Sequence, residues 1–259
     1  MKRLVIAVLA SILSMTVFAE GYQVNLLSTK QTGMGHVGTG MKLGAESMHF
    51  NPAGLVFLRT NMDFSLGISA IMAKAKYSYD GYSAKTDNPV GTPLYAYAGF
   101  KIYDNLAAGI SLTTPYGNSL KWPKNWAGAG LIQDISLKSY VIQPTLSYKI
   151  TDRLSIGVGL QLAWGNVNLS RALMGASDLQ GIGTKFESLL PKLAGVPSSI
   201  IPDEDKKAMQ EMVALMKGTE VPPAYARLEG NAHMRVGFNV GIMYDICDKV
   251  TVGLSYRSK

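Results

Sequence analysis

The chain has a single cysteine, Cys247, in 259 residues. One thiol excludes an intramolecular disulfide and any metal site built from several cysteines. Histidine is nearly as scarce, with only His36, His49 and His233. None of them stands in a recognisable pattern with a serine and an acid, so hydrolytic catalysis has no visible basis and no enzyme is expected. Charged residues make up 17%, few for a soluble domain. The formal charge is +7, but the basic residues are scattered and form no stripe interleaved with aromatics. Nucleic acid is therefore not an expected partner. Anionic lipid headgroups or lipopolysaccharide suit the charge better. No nucleotide loop or energy-coupling box is present, and no metal or other cofactor is expected.

Long apolar runs are absent too, with one exception. Lys2 and Arg3 precede an almost wholly apolar or small stretch from Leu4 to Val17, and Val17 and Ala19 suit signal peptidase. Residues 1–19 are expected to be a secretory signal peptide cleaved after Ala19. The alternative is an anchoring helix, but the run falls short of the ~20 residues that cross a bilayer. No cysteine precedes the expected mature start at Glu20, so a lipoprotein anchor has no attachment point. With no second apolar run, a membrane protein of this sequence can cross only as a closed β-barrel, because lipid cannot satisfy an open sheet edge.

What the sequence has in quantity is two-residue alternation. Met62, Phe64, Leu66, Ile68 and Ala70 alternate with Asp63, Ser65, Gly67 and Ser69. Strands of the same kind follow at Leu94–Ile102, Leu106–Thr113, Leu131–Ile150, Leu154–Trp164, Met234–Ile246 and from Val250 onward. Pro144 interrupts the fourth and predicts a bulge or a local break in the ladder. Short connections at Asp104-Asn105, Thr151–Arg153 and Cys247–Lys249 alternate with long ones at Tyr79–Pro93, Tyr116–Gly130 and Arg171–Ala224. Short periplasmic turns and long external loops are the pattern of outer-membrane barrels, and the tyrosines near strand ends suit interfacial girdles. A soluble β-sandwich or barrel also gives one apolar face per strand. Strand length, lopsided loops and a glycine-rich second face argue against it.

The longest loop, over residues 172–223, predicts two amphipathic helices. Phe186, Leu189, Leu190 and Leu193 fall at helical spacing. Asp203–Lys217 forms the second, with acids at its start and a stripe of Met209, Met212 and Met216. These methionines either pack on the partner helix or form an adaptable greasy entry surface. Residues 20–60 do not read as barrel. Gly33, Gly35, Gly38, Gly40 and Gly44 suit tight turns, and a folded plug in the lumen is one solution.

Here the chain resembles the long-chain fatty acid transporter family of Gram-negative outer membranes, which also includes transporters of aromatic hydrocarbons. The match begins with Gly21-Tyr22-Gln23-Val24, continues through Gly33-Met34-Gly35 and reaches the family's Asn-Pro-Ala hatch motif at Asn51, Pro52 and Ala53. Pro115-Tyr116-Gly117, Trp122, Trp126 and Pro144–Lys149 extend it. The resemblance implies an all-β transmembrane antiparallel barrel of about fourteen strands, with residues 20–60 as an N-terminal hatch. Residues 61–259 would supply about seven strands, half of what closure needs. It implies passive uptake of long-chain fatty acids or other hydrophobic ligands, with lateral release at a kink in the third strand. Tyr22, Gly33, Gly35, Asn51, Pro52 and Ala53 would lie along the hatch and substrate route, with Asn51–Ala53 beside the kink. Trp122, Trp126, Met209, Met212 and Met216 would capture ligand outside, unless the tryptophans only anchor the interface. Lys121, Lys124 and Arg171 are candidate carboxylate contacts. Barrel-assembly machinery is an expected partner in biogenesis. The competing reading is a surface-exposed binding or adhesion protein without transport.

Overall fold

The computed structural model describes residues 23–124, 126–174, 176–217 and 224–258. The expected signal peptide and Tyr22 lie outside them. The described chain opens with short helical pieces: α1 (Thr29–Gly33), a 3-10 turn at Gly44–Glu46, α2 (Ser47–Phe50) and a 3-10 helix at Pro52–Phe57. Strands β1 (Met62–Ile68), β2 (Lys76–Tyr79), β3 (Tyr82–Lys85), β4 (Leu94–Tyr103), β5 (Leu106–Thr113), β6 (Gly117–Lys121), β7 (Asp134–Lys149) and β8 (Leu154–Met174) follow. Helices α3 (Ala176–Glu187), α4 (Leu190–Ala194) and α5 (Asp203–Lys217) precede β9 (Ala224–Cys247) and β10 (Val250–Arg257).

One antiparallel sheet runs β1-β4-β5-β7-β8-β9-β10, with β6 continuing the line of β5 against β7. All seven expected strands are present. Among the described residues β1 and β10 are outermost and are not paired with each other. No described helix is long and apolar enough to cross a membrane.

The polarity of the sheet is the reverse of a soluble one. Phe64, Leu66, Ile110, Leu146, Val158, Leu160, Val236 and Leu254 are exposed, whereas Ser111, Thr113, Gln143, Thr145, Ser147, Ser155, Gln161 and Asn239 are buried. Water would make so large an apolar surface costly, while lipid favours it and a polar inner face suits a lumen. Strands β7 to β9 exceed the ~10 residues needed to cross a bilayer on a tilt.

The inner face is filled by the N-terminal segment. Met48, Leu55, Val56 and Leu58 pack with Ala45, Tyr95, Tyr97 and Ala107 into a buried apolar cluster. Each such large side chain contributes about 1.5–3 kcal/mol on burial. The same segment touches both outermost strands. The Thr39 carbonyl lies where a Cβ on Gly253 of β10 would sit, and Ala45 N donates to Asp63 Oδ2 of β1 at 2.8 Å. At full extension Thr39 to Ala45 reaches about 20 Å, whereas the outermost of seven flat strands stand about 29 Å apart. The stretch is moreover turned, not extended. The sheet therefore curls around the segment as a trough.

The structure corrects several boundaries. Residues expected as loop at Tyr79–Pro93 share a hairpin, β2–β3, whose turn residues Asp80 and Gly81 both have positive φ, the geometry of a tight two-residue hairpin. The expected loop Tyr116–Gly130 contains β6, and the strand expected from Leu131 starts at Asp134. Strand β8 runs to Met174, so Arg171 and Ala172 belong to it and not to the loop. Pro144 breaks the ladder without a bulge: Ile142 pairs Leu162 and Thr145 pairs Gly159, in unchanged register. Proline has no N–H to donate, so the bonding is lost locally while the alternation survives. The first predicted loop helix divides into α3 and α4 at Ser188-Leu189, with Pro191 in the first turn of α4.

Candidate functional site

Asn51 organises the docking of the N-terminal segment. Its side-chain oxygen accepts from Ala53 N at 3.1 Å and caps the Pro52–Phe57 helix. Pro52 suits that first position because its missing N–H would have no partner there. The Asn51 amide donates to Thr39 O at 2.8 Å and to Ile242 O of β9 at 3.1 Å. Ala53 O accepts from Ser147 Oγ at 3.2 Å and Ser155 Oγ at 3.0 Å. Glycine makes this approach possible: a Cβ on Gly157 would meet the Pro52 carbonyl, and one on Gly241 would meet Asn51 Oδ1. Lys42 adds an ion pair to Asp245 at 2.6 Å and sits over the Phe57 ring at 4.0 Å.

The third strand of the wall, β5 with β6, is irregular. Thr113 pairs Val141 and Gly117 pairs Lys138. Three residues, Thr114–Tyr116, thus stand opposite two, Ser139 and Tyr140. This is a one-residue bulge, a device that bends a strand and interrupts its ladder. Ser139 Oγ accepts from Tyr116 N at 3.0 Å and donates to Tyr116 O at 2.9 Å, filling the gap. Gln23 forms a bridge with Tyr116, and Val24 N donates to Pro115 O at 2.8 Å. The resemblance set Asn51–Ala53 beside the third-strand kink. In the structure these residues dock against β7, β8 and β9 at the level of Gly157. That is about 23 Å along the strands from the bulge, at ~3.3 Å per residue. What faces the bulge is Gln23 and Val24.

Two cavities meet at the bulge. One of about 280 Å³ is lined by Val24, Ile71, Pro93, Leu94, Leu137 and Tyr140, with Thr114 and Tyr116. Leu94 and Tyr140 belong to the apolar rows of their strands, whereas Val24 belongs to the inner segment. This cavity thus draws its lining from both faces of the wall. The second, about 120 Å³, lies inside the trough between His49, Thr113, Pro115, Tyr116, Gln161 and Arg257. Arg257 donates to the His49 ring at 3.0 Å and to the His49 carbonyl. Burial, and secondly the Arg257 charge, push the His49 pKa well below the usual imidazole range, so the ring is neutral.

The remaining expected residues are placed as follows. Gly33 ends α1 with open space around it, and Gly35, with φ +72°, makes the left-handed turn after it. Trp122 and Trp126 stack at 4.2 Å, and Tyr77 meets Trp126 edge-on at 6.0 Å. Trp126 Nε1 donates to Ile132 O at 2.8 Å. Trp122 is buried, so the pair ties the external loops together. In α5, Val213 is buried and Met216 packs against Gly183 of α3, while Met209 is half-buried and Met212 exposed. The stripe thus serves mainly helix packing. Lys121, Lys124 and Arg171 are exposed at the long-loop end, remote from the polar cavity. Sequence reasoning missed Arg257. Its signal was phase: it continues the inner-face row Thr251, Gly253, Ser255 of β10.

Residues 10–259 match the family model described as "Outer membrane protein transport protein (OMPP1/FadL/TodX)". The chain is 24% identical to the long-chain fatty acid transport protein of Escherichia coli strain K12, over 98% of this chain and 55% of that protein. It is 25% identical to the protein of that name from Salmonella typhi, over 98% and 54%. Among solved structures, a Pseudomonas aeruginosa FadL homologue superposes with a TM-score of 0.60 at 17% identity, covering 92% of this chain and 53% of that one. The Pseudomonas putida toluene transporter TodX superposes with a TM-score of 0.56 at 17% identity, covering 94% and 55%. The chain spans about half the length of these relatives. On the strength of the family match, the chain belongs to this family of Gram-negative outer-membrane transport proteins.

Proposed function

We propose that the chain is part of an outer-membrane barrel for passive uptake of long-chain fatty acids or similar hydrophobic compounds. The observation that carries this reading is the cavity at the Thr114–Tyr116 bulge, which joins residues of the apolar outer rows to Val24 of the inner segment. An apolar solute entering there moves from a protein-lined interior toward lipid without meeting water, and burial of its apolar surface is the driving force. Residues 20–60 act as the hatch in this proposal, with Asn51, Pro52 and Ala53 as its dock and Tyr22 on the substrate route. External capture by Trp126 and Met212, loop-end carboxylate contacts from Lys121, Lys124 and Arg171, contact with lipopolysaccharide, and assembly by barrel-assembly machinery belong to the same proposal. The E. coli and Salmonella proteins are named for long-chain fatty acid transport and TodX for toluene, which supports a hydrophobic cargo.

Whole-cell uptake of labelled oleate with the full-length gene tests the reading. Deletion is expected to abolish most uptake, and re-expression to restore it. Unchanged uptake after deletion would sink the assignment.

A further inference from the structure

The lipid-facing side of β7 and β8 changes chemistry partway along. The two strands keep one register from Lys149 and Ser155 to Asp134 and Ser170, so alternate residues share one face throughout. On β7, Leu146, Ile142 and Tyr140 are followed on that face by Lys138, Ser136 and Asp134. On β8, Leu160, Leu162 and Trp164 are followed by Asn166, Asn168 and Ser170. The opposite face turns apolar beyond the same level, with Leu137, Ile135, Val167 and Leu169. A wall that no longer presents apolar side chains outward has left the hydrocarbon. Tyr140 and Trp164 stack at 5.9 Å at the crossover, as aromatic residues do at a membrane interface.

Beyond that level the outward face carries a polar crevice of about 350 Å³, within the range of small-ligand pockets. Ser119, Ser136 and Asn168 form one row across β6, β7 and β8, and Lys121 and Asp134 stand opposite each other in the next. Asp87 and Asn88 close its side along the edge of β6: Asp87 N donates to Lys121 O at 2.8 Å, and Lys121 N donates to Asn88 Oδ1 at 2.7 Å. The side chains of Ser119, Asp134 and Ser136 make no hydrogen bond within the protein among the described residues. The crevice sits away from both outermost strands, β1 and β10. Ser136 is four residues beyond Tyr140, about 13 Å along the strand and about 10 Å along the membrane normal at the usual tilt.

We infer that this crevice binds a neutral sugar of the lipopolysaccharide core, beyond the glucosamine headgroup of lipid A. Two carboxylates against one ammonium repel a phosphate. Sugar hydroxyls donate to Asp87 and Asp134 and accept from Lys121, while the serine hydroxyls do either. The height above the Tyr140–Trp164 pair sets the crevice among core sugars and not at the acyl boundary. This rests on the lipopolysaccharide contact within the proposed reading, not on its cargo, and narrows that contact to one site.

Equilibrium binding of purified lipopolysaccharide to the full-length protein in phospholipid nanodiscs tests the inference. One probe carries a complete core; the other, deep-rough form ends at the acidic sugars next to lipid A. Wild-type protein is expected to bind the complete-core form about 10-fold more tightly, the value of a few ligand hydrogen bonds. The double variant Asp134→Ala, Asn168→Ala should lose that preference and bind the deep-rough form as wild type does. The wild-type preference is readable even if the variant fails to assemble. Equal wild-type affinity for the two forms overturns the site, since acyl and phosphate contacts are common to both. An assembled double variant that keeps the preference also overturns it. Binding of neither form overturns the lipopolysaccharide contact with it and leaves uptake standing. A core preference in protein that takes up no oleate supports the site and sinks the uptake reading alone.

Discussion

The two halves of the N-terminal segment differ sharply in burial. From Gly44 to Leu58 nearly every residue is buried and bonded to the wall: Asn51 to β9, Ala53 to β7 and β8, Met48 and Leu55 into the apolar cluster. From Thr29 to Thr39 most side chains are exposed. This earlier part is held by a few contacts, among them Ser28 to Glu46, Thr29 to Tyr95 and Tyr97 to Leu27 O. Its leading residues, Gln23 and Val24, cover the bulge. The contrast separates an anchor from a more exposed stretch. Local opening follows buried contact density, so hydrogen exchange is expected to be faster at Thr32–Val37 than at Gly44–Leu58.

The comparison breaks most severely at the anchor. Gly241→Val places side-chain atoms on Asn51 Oδ1 and Pro52. It should cost more than 3 kcal/mol by overpacking and lost bonds, read as near-complete loss of the protein from outer membranes. Asn51→Ala removes a cap and leaves Ile242 O and Thr39 O without their donor. The expected cost is about 2–4 kcal/mol, with abundance and uptake falling together. A variant that kept abundance but lost uptake would move Asn51 from anchor to route. At the cover, Val24→Asp puts a charge against the bulge cavity. Uptake should fall about tenfold while abundance stays within a factor of two; a loss of abundance would show that the cover is also an anchor.

His49 gives a smaller, pH-dependent effect. Its folded pKa lies below the unfolded value of about 6.5, so the unfolded chain binds the proton more readily. Stability is therefore complete above pH ~6.5 and declines as pH falls below it, by at most about 1.4 kcal/mol per unit. Denaturation between pH 7 and 5 should show this slope, and His49→Asn should flatten it. The smallest effect is expected at Met212→Ser in the exposed part of α5, within about 0.5 kcal/mol and with unchanged oleate capture. A marked fall in capture would return the methionine stripe to the site.

Strand period and the location of the helical loop were legible in the sequence because each is a local property. Alternation at Met62–Ile68 needs no partner to be read, and α5 carries its own acidic start and apolar stripe. In its first turn a hydrogen bond from Ser198, then Lys206, holds the Asp203 carboxyl below its usual range. The β2–β3 hairpin was read as loop despite Asp80-Gly81, because strands of four residues are too short to show an alternation. The bulge was not legible. Thr-Thr-Pro-Tyr-Gly reads as a turn, and its offset exists only in the pairing of Thr113 with Val141 and of Gly117 with Lys138. The stacking of Trp122 on Trp126 was not legible either, because aromatic content says nothing about ring contacts.

By itself the sequence determined which face of each strand is apolar, where the short turns fall, and that crossing a membrane requires a sheet. Those follow from side-chain alternation and the cost of unpaired backbone in lipid. The tertiary structure decided what each face meets. It put Asn51–Ala53 on the wall as a dock, Gln23 and Val24 over the bulge, and Arg257 against His49. These depend on residues as many as 208 positions apart, His49 and Arg257 among them, and only the curl of the sheet brings them together.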